Sequence, residues 1–465
     1  MWPRPPRCAR RTCSAALRHG RARRALAAAL RAADAALLRR LQPCPSIFSM
    51  FMSVLSIVDT RIMCYNSGMK TNYLLITRSV LTLAVACAPW CAAASMFPEI
   101  QVGLGGVVRY GHARFANALY MAPVWQTNYA SGWNWHTVYA PQLNVDGYPN
   151  YVVGVNNPLV AMPLFDAPLV EKTNMCVGRF SLMWEGEADI QLGTGATLVS
   201  GPTSGVVLNG RREYYISDGA GDKMMVRVWA INTTNPPRNI RLWLPDPADR
   251  MNRSLAPAAG DPPRIFHPEY VNVLRPFKLF RFMDWLYTNN SRQQHWQDRR
   301  RPTHCFMTGN IVTNMQPGVC YEFCAALCNE VGADMWICIP HLATDEYVTN
   351  VARLLLYGSD GFMPYVTNVA NPVYPPLATN RRVYVEWSNE VWNPMFTAYS
   401  YAQSQGSLLG KNVAQYPAYR AGQIWKIFEG IWGRNTRSAS CAWAPRAPVM
   451  PPTAASSWPK QPTTA

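Results

Sequence analysis

The sequence predicts a multidomain β and α/β protein: an N-terminal antiparallel β-sandwich, then a (β/α) barrel-like domain of which about the first four units are present. Two observations predict this. Between about 97 and 237, short apolar runs are broken by Gly, Pro, Asn and Asp, with no run of helical period. From about 239 to 432, strand-like and helix-like stretches alternate, the pattern of parallel βα units. Length and composition agree, since 465 residues with 49% hydrophobic content suffice for two or three domains and a sizeable core.

In the first region the predicted strands are 177–184, 188–192, 212–216 and 223–230, separated by turn signals at Asp146-Gly147, Asn209-Gly210 and Asp218-Gly219. Trp125, Tyr129, Trp133, Trp135 and Tyr139 cluster early. Such rings stack on sugar faces or fill a sandwich core, and the core reading is favoured because large aromatics dominate burial. Glu185 and Glu187 look like a carboxylate pair, but alternation places both on one exposed strand face.

In the second region the predicted strands are 239–245, 277–285, 334–341 and 382–390. Helices are expected at 267–274, at 317–331 and from Thr344 to Tyr357, with a last helical stretch at 419–432. Thr344 is placed to cap its helix, with Asp345 and Glu346 in the first turn, where the helix dipole favours acids. Cys320, Cys324 and Cys328 recur every four residues, so a helix stacks them on one stripe as small buried hydrophobes. They lack the paired spacing with His that a metal site requires, and no disulfide framework is visible.

The net charge of +17 invites a nucleic-acid reading, but its distribution argues against one. Residues 1–95 carry 14 of the 44 Lys and Arg against only Asp34 and Asp59, and residues 433–465 carry four more with no acid. The basic charge therefore sits in appendages rather than on a folded surface. Residues 1–68 form an Arg/Ala-rich extension, expected to be disordered or non-native, whose first 41 residues resemble an organelle transit peptide. From Met69, Lys70 and Arg78 precede a short apolar run and Ala92-Ala93-Ala94, a secretory signal layout ending near 95. That run is shorter than the roughly 20 residues a bilayer span takes, so secretion without a stable membrane span is expected. Sequons occur at Asn232, Asn252 and Asn289.

The most specific motif is Glu386-Trp-Ser-Asn-Glu-Val-Trp-Asn393, a polar run at the end of the fourth alternating strand. Alternation puts Glu386, Ser388 and Glu390 on one face, with Glu390 at the rim. A strand ending in Asn-Glu resembles the fourth strand of clan-A glycoside hydrolases, which are TIM barrels. The resemblance implies that Glu390 is the acid/base and that Asn389 holds the substrate's 2-hydroxyl. It also implies an Arg on an early strand that orients the site carboxylates, here Arg281, and a His lining the site, here His341. Asp284 and Trp285, at the end of the second strand, are then candidates for a sugar subsite. Glu386 is read instead as a structural carboxylate that pairs with Arg281 inside the barrel. The span from about 179 to 393 also resembles secreted bacterial proteins, often labelled cellulose-binding, with a sandwich before the barrel.

Clan-A members draw their nucleophile from strand seven. Here the alternation stops after 432 and an acid-free Ala/Pro/Ser/Thr-rich tail follows, so strands five to eight and the nucleophile are expected to be missing and the tail disordered. Two function classes follow. One is a glycoside hydrolase-like protein that acts on or binds polysaccharide or oligosaccharide; the other is a non-catalytic carbohydrate-binding or cell-surface protein. Neither implies a cofactor or a metal, because glycoside hydrolysis needs only carboxylates and water.

Overall fold

The computed structural model describes residues 101–107, 113–127, 136–137, 142–152, 158–161, 177–193, 195–217, 224–308, 318–433 and 440–441. The N-terminal extension, the signal-like segment, Tyr129, Trp133, Trp135, Tyr139, Cys176, Asp218-Gly219 and most of the tail lie outside them. All described residues fall in one compact unit, 94–465.

The early strands are β1 (Gln101–Gly103), β2 (Trp125–Thr127), β3 (His136–Thr137), β4 (Leu159–Ala161), β5 (Gly178–Glu185) and β6 (Glu187–Leu192). Next come β7 (Thr197–Ser200), β8 (Val207–Leu208), β9 (Arg211–Ile216), β10 (Val226–Ile231) and β11 (Arg238–Trp243). The remaining strands are β12 (Leu279–Arg281), β13 (Asp334–Ile339), β14 (Val383–Trp387) and β15 (Ser440–Cys441). Among the described residues five α-helices accompany them: α1 (Pro268–Leu274), α2 (Tyr321–Val331), α3 (Asp345–Tyr357), α4 (Thr397–Leu408) and α5 (Gln415–Trp432).

These strands build a six-stranded sheet of order β3-β2-β4-β10-β6-β8 and a four-stranded sheet of order β11-β5-β9-β7, both antiparallel, and a five-stranded parallel sheet of order β1-β12-β13-β14-β15. Over its described residues the chain is thus a mixed α/β protein with two antiparallel sheets and one parallel sheet. Arg212 on β9 connects the antiparallel pair: it is fully buried, donates at 2.7 Å to Asp189 on β6, and lies over the Trp184 ring.

Three sequence expectations change. Residues 238–243 do not open the parallel run; they pair antiparallel with β5. The first parallel strand is β1, far earlier in the chain, which pairs with β12. The tail is not wholly outside the fold, because Ser440 and Cys441 pair parallel with β14. Glu185 and Glu187 also differ from expectation, since they do not alternate along one strand. Gly186, at φ 80°, turns the chain between them from one antiparallel sheet into the other. Glu185 then pairs with Arg238, and Glu187 accepts from Asn232 and Asn235.

Where the expectations rest on local chemistry, the elements match them closely. Thr344 caps α3 by accepting from the Tyr347 N–H, and α3 packs its buried face of Tyr347, Val348, Val351 and Leu355 against α2 and α5. Cys320, Cys324 and Cys328 are all buried and free, as are Cys305 and Cys338. Among the described residues no His/Cys/Asp/Glu cluster could hold a metal ion, and no helix is long and apolar enough to cross a membrane.

The turn at Gly186 yields a stability prediction. A Cβ there meets the Pro236 carbonyl oxygen at 2.4 Å, whereas one on Gly205, also at positive φ, meets nothing within 4 Å. Gly205→Ala should cost about 1 kcal/mol from the left-handed backbone alone. Gly186→Ala should cost roughly 2–4 kcal/mol, because overpacking adds to it. Urea unfolding of both variants reads the difference; equal losses would contradict the close approach.

Candidate functional site

The C-terminal ends of the parallel strands carry the sequence motif. Glu386 lies within β14 and is 7% exposed at its side chain. Its Oε2 accepts from Arg281 on β12 twice, at 2.7 Å from Nη2 and 3.2 Å from Nε. The same oxygen accepts from Trp336 Nε1 at 3.0 Å and from the Cys338 thiol at 3.3 Å, both on β13. Register explains the convergence: Arg281 is opposite Trp336, which is opposite Tyr384, and Cys338 is opposite Glu386. Two strands, β12 and β13, therefore point donors at one carboxylate oxygen on the third, β14. Burial among these groups pushes the Cys338 thiol well above its ordinary range, so it donates and stays neutral.

Arg281 Nη2 also donates at 2.9 Å to Asn389 Oδ1, and Asn389 Nδ2 donates at 3.0 Å to Asn289 Oδ1 on the loop after β12. Asn290 on that loop accepts from the Thr397 N–H at the start of α4. A chain of polar contacts thus runs Glu386, Arg281, Asn389, Asn289, and ties the loop after β12 to the loop after β14. Beside it opens a pocket of about 300 Å³, lined by Gly106, Asp284, Tyr287, Thr288, Asn289 and Asn290.

The expected alternation ends at Trp387. Ser388 and Glu390 have φ of 57° and 43°, so the backbone curls out of the strand and the three residues Glu386, Ser388 and Glu390 no longer share a face. Ser388 and Asn389 are buried, and Glu390 is turned out into solvent, with only a 3.4 Å contact from Asn393 Nδ2 to its carboxylate. In the facing loop Tyr287 and Asn290 have φ of 52° and 58°. Left-handed backbone at non-glycine residues costs on the order of 1 kcal/mol each and gathers where function holds it. Four of the six such residues in the described chain lie in these two loops.

The other expected site residues divide. Asp284 lines the pocket and is exposed. Trp285 corrects the expectation of a sugar-contacting ring: it is 1% exposed, among Phe115, Phe266, Tyr270 and Phe282, with no face left for a ligand. His341, two residues beyond β13, is 4% exposed, lies 3.4 Å from Thr397 Oγ1 through Nε2, and leaves Nδ1 unpartnered. It packs against α4 through Thr397 and edge-on against the Tyr401 ring. Trp125, from the early aromatic cluster, is buried in the core, with Nε1 bonded to the Gly147 carbonyl.

Sequence reasoning missed Asn289 as more than a sequon, and missed Asn290 and Trp392. Consecutive asparagines just after a strand signal a left-handed turn, so the first two were detectable. Trp392, inside the motif, is 59% exposed, and a large exposed ring beside a carboxylate is informative where an exposed aliphatic residue is not.

Comparison with known protein families, with curated proteins and with solved structures finds no match for this chain.

Two predictions follow from the site. Arg281→Ala leaves the Glu386 carboxylate without its cation and should cost about 3 kcal/mol. Arg281→Met combined with Glu386→Leu should recover most of that; if the double variant is as unstable as the single one, the pair is not the source. The second concerns pH. Burial pushes His341 down to about 4, against roughly 6.5 when unfolded. The unfolded chain therefore binds the proton first, and this contribution to stability is complete above pH 6.5 and lost as pH falls toward 4. His341→Phe should flatten the fall in unfolding free energy between pH 6.5 and 4.5 relative to the parent; an unchanged slope contradicts the assignment.

Proposed function

We propose that this chain is a glycoside hydrolase-like protein that acts on or binds polysaccharide, with Glu390 as its acid/base. In this reading the parallel strands begin a TIM-type (β/α) barrel, whose neighbours follow one another in chain order, and the two antiparallel sheets form the preceding β-sandwich. The observation that carries it is the contact chain from Glu386 through Arg281 and Asn389 to Asn289, at the C-terminal ends of parallel strands and next to an exposed carboxylate and a polar pocket. Catalytic groups of barrel enzymes sit at that end of the strands. The signal-like segment from Met69 supports a secreted location, and the near-neutral charge between the two basic appendages speaks against nucleic acid.

The roles follow from the contacts. Glu390, exposed at the end of β14, is accessible to a glycosidic oxygen and in this reading takes the acid/base role. Asn389 has both amide atoms engaged, so it acts first as a positioning residue for the strained Ser388–Glu390 backbone, with its second amide hydrogen left for a sugar hydroxyl. Glu386, with four hydrogen bonds converging on one oxygen, anchors Arg281. A retaining reaction further requires a second carboxylate about 5–5.5 Å from the first, and an inverting one about 6.5–9.5 Å. No described residue is assigned that role.

The second reading, a non-catalytic glycan-binding protein, is favoured by the exposed Trp392 and by the internal use of Glu386. One experiment separates the two: incubate the full chain and its Glu390→Gln variant with aryl glycosides and with plant and algal polysaccharides, and measure reducing-sugar release and binding. Hydrolysis that drops at least about 100-fold in the variant establishes the acid/base. Binding without hydrolysis in either protein establishes the second reading, and hydrolysis untouched by Glu390→Gln removes Glu390 from the chemistry.

A further inference from the structure

The pocket beside the network has a donor and acceptor pattern that selects its ligand. Asn289 and Asn290 both line it, and both have their carbonyl oxygens committed elsewhere: Asn289 Oδ1 to Asn389, and Asn290 Oδ1 to the Thr397 N–H. What remains on each is an Nδ2 group, a donor. Thr288 donates its own hydroxyl at 2.9 Å to the Met283 carbonyl. Asp284 supplies a carboxylate, an acceptor, whose charge acts on the nearby Arg281 guanidinium. The pocket thus offers one anionic acceptor and two neutral amide donors, with Tyr287 also in its lining, in about 300 Å³, at the lower end of the range of ligand pockets.

Three ligand classes are separated by that pattern. A metal ion needs oxygen ligands, and the two amides turn their oxygens away. A phosphate or carboxylate is repelled by Asp284. A polyhydroxylated ring meets both demands, because each hydroxyl donates to the carboxylate and accepts from an amide. Resting on the glycan reading above, we infer that this pocket is a single-ring sugar subsite that binds a neutral pyranose through a vicinal pair of hydroxyl groups on Asp284, with Asn289 and Asn290 as donors. Asn289 is bonded to Asn389, the residue before Glu390, so a ring held there is tied through two amides to the acid/base. The specificity-determining residue is Asp284, whose paired oxygens span two adjacent hydroxyls.

Gly106 gives an independent handle on the same space. A Cβ built there meets the Asp284 carbonyl oxygen at 3.6 Å and its Cβ at 3.9 Å, which are ordinary contacts. A larger side chain at this position starts from a Cβ in ordinary contact with Asp284 and should narrow the pocket that Gly106 lines.

The experiment is calorimetric titration of the full chain with cellotetraose, mannotetraose, xylotetraose and chitotetraose, and separately with glucosamine and calcium chloride. Circular dichroism checks that each variant is folded. At least one neutral tetrasaccharide should bind the parent. Its affinity should fall about ten- to hundredfold in Asp284→Ala, the loss expected for hydrogen bonds to a charged group, and at least as far in Gly106→Leu. A tetrasaccharide that binds the parent and both folded variants within about twofold overturns the subsite and leaves the Glu390 reading standing. Calcium or glucosamine binding that is stronger than any tetrasaccharide's and is lost in Asp284→Ala overturns it in favour of a cation site. If the parent binds none of the four tetrasaccharides, both the subsite and the glycan reading fall.

Discussion

Arg281 and Glu386 meet on one face of the parallel sheet, and the shape of the site depends on that meeting. The carboxylate accepts four hydrogen bonds on one oxygen, from residues of two neighbouring strands, and only one of its donors is charged. A carboxylate this buried is costly to hold without its cation, and the cation can satisfy it from only one direction. The pair therefore fixes the Arg281 guanidinium, and its outer edge reaches Asn389. Replacing the pair by apolar residues need not weaken the fold, so its contribution is to position rather than to stability.

What it positions is a strained stretch of chain. Ser388 and Glu390 have left-handed backbone, and Asn389 between them is held by Arg281 and Asn289. The left-handed turns separate a buried structural carboxylate from an exposed one only four residues away. On the opposite loop Tyr287 and Asn290 are bent in the same way, and the Asn289–Asn389 contact locks the two bends together. The pocket is lined by the loop after β12 together with Gly106 from the segment after β1.

Local chemistry was legible in the sequence, and long-range pairing was not. The Thr344 cap, the Cys stripe of α2 and the Asn209-Gly210 turn were readable because each is decided within a few residues. The turn also shows why Gly was required: a Cβ on Gly210 would lie 2.0 Å from the Trp184 ring. By contrast, the apolar run of β11 reads the same whether its partner is β5 or a parallel strand. The three residues of β1, followed by Gly105-Gly106, are too short to announce themselves as a strand. The Arg281–Glu386 pair was foreseen because two opposite charges on one face of parallel strands, here with β13 between them, have few other partners. The outward turn of Glu390 was not, since alternation carries no information about where a strand stops, and the burial of Trp285 depended on a cluster drawn from distant segments.

The central claim is that the ends of β12 and β14 form a glycan site organised by the Arg281–Glu386 pair. A crystal structure of the full chain carrying Glu390→Gln, soaked with the tetrasaccharide that binds best, tests it most directly. The account predicts a sugar ring against Asp284, Asn289 and Asn290, a glycosidic oxygen facing position 390, and the Arg281–Glu386–Asn389 contacts intact. Sugar density on the antiparallel sheets, or a bound sugar with those contacts broken, would contradict it.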